Sequence, residues 1–315
     1  SAAANELNAV NVEKAEADPK ALSDAANNTV ADFALRLLNS CEAEGDTLIS
    51  PTSILCALAM TANGAEGETL SEMESAVGMS IDELNEYMGK DGAVMAAFLA
   101  ALDNSEGSRL SSACSMWLRE DPALKIKEEF LGKNARYYDS SVFTAPFDAS
   151  TLSDINSWVK QNTGGMVDKI LEEIPDAAML YLINAVAFDA KWQSVYNENQ
   201  VEPGTFTNAA GEDKNVDFMD SREYYYLDDG KATGFLKYYT GSHYAFAALL
   251  PNSGVALEEY IAGLSGEGLR AMLTEPQHTA VIASLPKFDS SCSLELSEAL
   301  RTLGINELFD PDVAE

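Results

Sequence analysis

The sequence predicts an α+β fold, and three observations carry that prediction. Residues 54–62 (ILCALAMTA) are almost wholly apolar over a helical length, which marks a buried helix rather than a surface one. Residues 179–192 (MLYLINAVAFDAKW) contain Leu182, Ile183, Ala185, Val186 and Phe188, a near-continuous apolar strand of the kind covered on both faces. From residue 206 onward short strand-like runs dominate, whereas helical spacing prevails over much of the chain before it. Helices and strands packed around one core define a mixed architecture.

Composition bounds the function. At 315 residues the length suits one large domain or two ordinary ones, and an apolar content of 46% is normal for a globular core. No run of about 18 apolar residues predicts a membrane span. Twenty basic residues against 51 acidic ones give a net charge of −31. Such a chain repels nucleic-acid phosphates and anionic membranes, and it attracts basic partners weakly and in a salt-dependent way. The four cysteines, Cys41, Cys56, Cys114 and Cys292, are scattered without zinc-site spacing. They are expected to be free, small apolar residues.

Residues 1–22 are rich in Ala, Asn and Glu and lack aromatic residues, so they read as a flexible arm. They lack the basic start and apolar middle of a signal peptide. Asn27-Asn28-Thr29 matches a glycosylation sequon. Ser23-Asp24 caps a first helix whose face carries Val30, Phe33, Ala34, Leu37 and Leu38. Ser50-Pro51-Thr52-Ser53 supplies a turn and cap for the buried helix, and Asn63-Gly64 stops it. Residues 70–102 read as one or two further helices. Leu110 to Leu118 alternates as a strand before the charged turn Arg119-Glu120-Asp121-Pro122. A short helix over 123–136 and a strand from Ala135 to Phe143, including Tyr137 and Tyr138, follow. Ser153-Asp154 is expected to cap the next helix, with Ile155, Trp158 and Val159 on its apolar face and Thr163-Gly164-Gly165 at its end. Asn184 lies in the middle of the apolar strand and needs partners, since an unpaired buried amide costs about 1–3 kcal/mol. A helix is expected over 255–272, a strand over Val281 to Phe288, and a last helix around Leu294, Leu300 and Leu303.

Enzyme chemistry finds little support. His243 and His278 each sit among apolar residues in strand-like contexts, as structural histidines do. No GxSxG, GxxxxGK[ST] or HExxH motif occurs. No catalytic residue, metal or cofactor is predicted.

A more specific signal lies in residue order. Ile49-Ser50-Pro51, Ser53-Ile54, Ala57-Leu58, Met60, Gly64-Ala65, Gly67 and Thr69 together resemble the signature of the serpins, the serine protease inhibitor superfamily. The Trp117-Leu118 pair, Ile155-Asn156 with Trp158-Val159, Thr163 and Gly165, Leu249-Leu250-Pro251, and Leu285-Pro286-Lys287-Phe288 resemble further family stretches. The resemblance implies a large mixed sheet A, smaller β-sheets and about eight or nine helices. It places Ser53, Cys56 and Asn184 at the family's shutter, where sheet A opens, and Trp192 at its breach, with Val201 nearby. It makes 281–288 the sixth strand of sheet A. Two positions depart from the family: Cys56 stands where Ser is frequent, and Val201 where Thr is common, with Tyr196 and Phe206 at neighbouring aromatic positions.

The resemblance further implies a suicide-substrate inhibitor of serine proteases, with cysteine proteases as a second class the family reaches, and no enzyme activity of its own. The alternative within the family is a non-inhibitory carrier, chaperone or storage protein. Basic surface helices that bind heparin have only Lys90 as a counterpart, so heparin activation is not expected. The likeness runs over residues 23–315, while the fifth strand of sheet A, the hinge, the reactive loop with its bait bond and the last strands of sheet B lie outside the given sequence. A C-terminal fragment of the same protein is therefore an expected partner, and the 315 residues are not expected to fold stably alone. Acidity, the Ala-rich arm and the absence of a disulfide framework lean toward a bacterial secreted or envelope protein, with the cytoplasm as the alternative.

Overall fold

In the computed structural model, residues 5–6, 24–41, 45–89, 108–122, 124–208, 210–290, 292 and 294–310 are described. Helix α1 (Asp24–Ser40) buries Phe33, Leu35 and Leu37. Leu35 lies off the single face that helical spacing predicts, because α1 is packed on more than one side by later helices. Helix α2 (Pro51–Ala62) starts at Ser50, whose hydroxyl accepts from Ser53 N, and has Pro51 where a missing N–H costs nothing. Leu55, Ala59 and Met60 are fully enclosed, so α2 is the centre of the main core. Gly78, at φ 84°, closes α3 (Gly67–Val77), and a Ser80/Glu83 capping box opens α4 (Ile81–Met88). Helix α5 (Glu128–Tyr138) then packs against α2 and α4.

These three helices are tied by a buried polar network. Asn63 Nδ2 donates to Asn85 Oδ1 (3.2 Å) and Asn134 Oδ1 (3.1 Å), while Asn85 Nδ2 donates back to Asn63 Oδ1 (2.8 Å). Asn134 Nδ2 donates to the Met60 carbonyl (3.2 Å), and the Tyr138 hydroxyl to Asn85 Oδ1 (2.9 Å). Satisfied networks of this kind specify a core, and half-satisfied ones weaken it. Asn85→Leu leaves Asn63 Oδ1 without its donor and the Tyr138 hydroxyl without its acceptor, with an expected loss of about 2–4 kcal/mol in urea unfolding.

Tyr137 and Tyr138 form the last turn of α5, not the start of a strand. Tyr138 is held inward by Asn85, Asp139 turns the chain at φ 49°, and the strand begins only at Ser141. Strands β1 (Asn5–Glu6), β3 (Ser141–Ala145), β2 (Ser108–Arg119) and β4 (Leu180–Ala190) make the large sheet in that order. β2 runs parallel to β3 and antiparallel to β4, from Ser108 opposite Ala190 to Leu118 opposite Leu180. Asn5 and Glu6, within the stretch read as a loose arm, pair with Thr144 and Phe143.

Helix α6 (Ala149–Asn162) crosses one face of this sheet. It starts at Asp148, one turn before the expected Ser153-Asp154 cap. The Asp148 carboxylate accepts from Ser150 N (2.8 Å) and Thr151 N (3.3 Å), and bonds from Ser150 hold its carboxyl below the usual range. Thr151, Ile155 and Val159 give the buried stripe at four-residue spacing. Strand alternation separates two cores. Cys114, Met116 and Leu118, with Leu180 and Leu182, face α2. Trp117, Ile183 and Ala185 face α6 with Phe147, Ile155 and Val159, and Trp117 stacks on Phe143 at 4.3 Å. β4 is thus covered unequally: Ile183, Ala185 and Ala187 are buried, whereas Leu182, Asn184 and Val186 are half-buried.

Two three-stranded sheets make up the rest of the β structure among the described residues. One has the order β10 (Val281–Pro286), β6 (Asp213–Glu223), β5 (Val201–Thr207). The 281–288 stretch was expected in the large sheet, but Val281 to Pro286 pair with Glu223 to Phe218 of β6. Alternation in a short run does not encode which sheet receives it. The other sheet has the order β7 (Tyr226–Asp228), β8 (Ala232–Tyr238), β9 (Ala245–Pro251). The helix expected over 255–272 is two, α7 (Leu257–Ala262) and α8 (Gly266–Thr274), broken at Gly263 and recapped by Ser265. Gly266 lies so close to α1 that a Cβ would be 2.5 Å from the Asn28 carbonyl oxygen, and its N–H donates to Asp32 Oδ1. Helix α9 (Ser297–Thr302) closes the main core with Ala299 and Leu300. Among the described residues there are nine α-helices, and the architecture is mixed α+β with a mixed large sheet, as expected.

Candidate functional site

β4 is the terminal strand of the large sheet among the described residues. A cavity of about 250 Å³ lies beneath it, lined by Ser53, Ile54 and Ala57 of α2, Leu182 and Asn184 of β4, and Leu171. Asn184 faces this side because it is in register with Cys114, whose side chain packs toward α2. Its Nδ2 donates to Cys114 Sγ at 3.2 Å. Its Oδ1 is buried and has no hydrogen-bond partner among the described residues. Carbonyl groups are rarely left so, because the lost solvation is not recovered.

The thiols extend the constellation. Cys56 follows Ser53 by one turn on α2 and lies in the main core with Cys114. The interaction with Cys114 and burial push the Cys56 thiol up, whereas the same interaction brings the Cys114 thiol down. Ser53 takes a different partner: its hydroxyl accepts from the Ser50 hydroxyl at 3.0 Å. Ser53, Cys56 and Asn184 are brought to one locality, joined there by Cys114, which the sequence reading took only as a free apolar residue. Cys114 was legible only as an inward position of an alternating strand.

A second cluster lies just beyond β4. Trp192 pairs with Tyr239 through an isolated antiparallel bridge, and their rings stack at 4.4 Å, 9° from parallel. Phe246 meets Trp192 edge-on at 5.9 Å. Lys237 is 2% exposed and bonds Glu223 Oε1 at 2.6 Å, with its Nζ 4.4 Å from the Tyr196 ring centroid and 5.7 Å from that of Trp192. Burial of an ammonium requires such pairing, and the aromatic faces add attraction of about 0.5–2 kcal/mol. Lys237 and Glu223 were missed by the sequence reading; the available signal was one Lys inside an apolar strand, GFLKY, on the same face as Phe235. Val201 is the half-buried first residue of β5, opposite Met219 in the small sheet. His243 and His278 are exposed rather than set among apolar residues, and His278 lies edge-on to Tyr225. The sequon at Asn27 is engaged within the fold, its Oδ1 accepting from the Tyr87 hydroxyl at 2.6 Å. Lys90 lies outside the described residues. Among the described residues no helix is long and apolar enough to cross a membrane.

Chemically, this locality presents a strand edge, an apolar groove and an unpaired amide oxygen. An edge strand is a template for main-chain pairing, so the arrangement is suited to receiving an extended segment.

Comparison with known proteins agrees with this architecture. The family described as "Serpin (serine protease inhibitor)" matches residues 28–315. An uncharacterized serpin-like protein of Thermococcus kodakarensis is 26% identical over 299 residues, spanning 93% of this chain and 68% of that protein. The plasma serine protease inhibitor of Mus musculus is 25% identical over 290 residues, spanning 88% of this chain and 69% of that protein. The crystal structure of the thermophilic serpin Tengpin in its native state superposes with a TM-score of 0.89 at 38% identity, covering 100% of this chain and 80% of Tengpin. With the matched residues taking in both sheet faces, the groove under β4 and the aromatic cluster beyond it, the chain belongs to the serpin family.

Proposed function

We propose that this chain is the body of a serine protease inhibitor that acts as a suicide substrate. The observation that carries the reading is β4: among the described residues it is a terminal strand above a groove lined by Ser53 and Asn184, with the Asn184 carbonyl oxygen buried and unpaired. An attacking serine protease, or a cysteine protease in cross-inhibition, cleaves an exposed loop. Before the acyl-enzyme hydrolyses, the loop enters the large sheet beside β4 and carries the protease with it. Main-chain hydrogen bonds along β4 and apolar burial on both faces supply the stabilisation, and release of stored strain drives the step. Ser53, Cys56 and Asn184 control the opening of the sheet, and Trp192 with its neighbours Lys237 and Tyr239, together with Val201 on β5, holds the upper end. The inhibitor acts outside the cell or at its envelope.

The intact protein is to be incubated with trypsin-, chymotrypsin- and elastase-like proteases and resolved on a denaturing gel. Thermal melts before and after loop cleavage accompany the gel. A band at the combined mass that survives SDS, with a rise of tens of degrees in Tm on cleavage, is expected. Clean cleavage with neither the band nor the rise assigns the protein to the non-inhibitory members of the family.

A further inference from the structure

The cavity at β4 is lined from both faces of that strand. Leu182 and Asn184 contribute from the side of α2, and Tyr181 and Ile183 from the side of α6. Successive residues of a strand point to opposite faces, so they meet in one space only at its edge. The cavity therefore occupies the place where a further strand would run. α2 closes it on one side, and Ile170 and Leu171 close it on the other. These two residues belong to 163–179, which lead from α6 to β4 without helix or strand. Connections longer than about 12–15 residues with no regular structure are uncommon and usually functional. Its ends are tied down: Val167 N donates to Thr163 Oγ1 at 3.1 Å, and Arg119 Nε to the Ala178 carbonyl at 2.7 Å. Its middle depends on one side chain of α6. Asn156 Oδ1 accepts from Ile170 N (2.8 Å) and Leu171 N (3.1 Å), and Asn156 Nδ2 donates to the Leu171 carbonyl (2.9 Å). Lys160 and Asp168 make a second link at 2.7 Å, but both side chains are more than half exposed, and such a pair holds little.

We propose that Asn156 is a positioning residue for strand insertion: its three hydrogen bonds hold Ile170 and Leu171 across the edge of β4, and they must break before a strand pairs there. The inference rests on the strand-insertion reading above. With the bonds made, the edge is walled off from stray main-chain pairing, to which an open strand is prone. With the bonds broken, the ties at Thr163 and Arg119 remain, so the middle of the segment swings out without unfolding its ends. Leu171 leaves the smaller core in that movement, whereas Ile170 is already 44% exposed and loses little. The two halves of the fastening are separable. Asn156→Asp keeps an oxygen acceptor for the Ile170 and Leu171 N–H groups and loses the donor to the Leu171 carbonyl, and Asn156→Ala loses all three bonds.

The test compares the intact protein with Asn156→Ala, Asn156→Asp and Lys169→Ala, the last removing a pair with Glu172 inside the same segment. The probe is a capped peptide of alternating Thr and Ala, as long as β4, which adds as a strand to an open edge. Its association is followed by the rise in Tm and by slowed hydrogen exchange in β4. The peptide is expected to associate at least tenfold faster with Asn156→Ala than with the parent, at an intermediate rate with Asn156→Asp, and at the parent rate with Lys169→Ala. In the free proteins the Ile170 and Leu171 amides are expected to exchange at least tenfold faster in Asn156→Ala. A merely structural Asn156 would speed that exchange without speeding association. Equal association rates for the parent and Asn156→Ala overturn the proposal, as does equal acceleration by Lys169→Ala, or a peptide that protects β4 in none of the four proteins. Should Asn156→Ala fail to fold, Asn156→Asp decides, with acceleration of at least threefold expected and none overturning the proposal. Neither readout involves a protease. Absence of an SDS-stable protease complex in all four proteins, with the peptide rates in the stated order, overturns the inhibitor reading and leaves the fastening in place.

Discussion

Lys237→Ala is expected to destabilise the protein by about 3–5 kcal/mol, although it removes no large apolar side chain. The Lys237 side chain is 2% and the Glu223 side chain 12% exposed, and their 2.6 Å contact is the main compensation for two desolvated charges. Removing the ammonium leaves Glu223 facing the space between Tyr196 and Trp192, where water does not replace it at full strength. The effect is one of an orphaned charge rather than of a favourable pair. Lys237→Met combined with Glu223→Leu is accordingly expected to recover most of the loss, and to equal or exceed the parent in urea midpoint. A double-mutant cycle in urea separates the two accounts. Equal and additive losses for both single substitutions, with no recovery in the double, would show that Lys237 contributes through its aliphatic stem alone.

Trp117→Ala is expected to cost about 3–5 kcal/mol, with Trp117→Phe retaining more than half of the lost stability. Trp117 is the largest side chain of the smaller core, which has Ala145, Phe147, Ile155, Val159, Ile183 and Ala185 as its other buried members. It stacks on Phe143 at 4.3 Å, and its indole N–H donates to the buried Ser115 hydroxyl at 2.9 Å. Removal opens a cavity under α6 and leaves that hydroxyl without its donor. The loss should be local in its consequences: amides of α6 exchange faster by about two orders of magnitude, while those of α2, on the other face, follow the global change. Uniform acceleration in both helices would show that the two cores unfold as one unit.

The sequence told more about types of element than about their neighbours. The buried helix 51–62 was legible because its apolar residues surround it, and the strand 180–190 because a run of that length has few other homes. Trp192 and Asn184 were singled out through family likeness, and their surroundings were not. The Lys237–Glu223 pair joins residues on two different sheets, and nothing in either strand announces the other. The Asn63, Asn85 and Asn134 network was equally hidden, since Asn63 sits where a helix stop also explains it and Asn85 and Asn134 are polar residues inside helices. Boundaries failed where two signals competed. Ser153-Asp154 is as good a cap as Asp148, and only burial of Thr151 decides between them. The 281–286 strand was recognised as a strand but given to the wrong sheet, because pairing is a long-range property that alternation does not carry.

Helix α1 has several of its partners almost a whole chain away. Arg270 donates to Asn28 and to the Asp24 carbonyl, and Gly266 to Asp32, at sequence separations of 234 to 246 residues. During synthesis at about 5–20 residues per second, α1 leaves the ribosome roughly 12–50 s before the helix that covers it. Phe33 and Leu37, both fully buried in the finished fold, meet α2 and α3 early, whereas the side of α1 that faces α8 waits for that later helix. The first helix to be made is thus among the last to be seated.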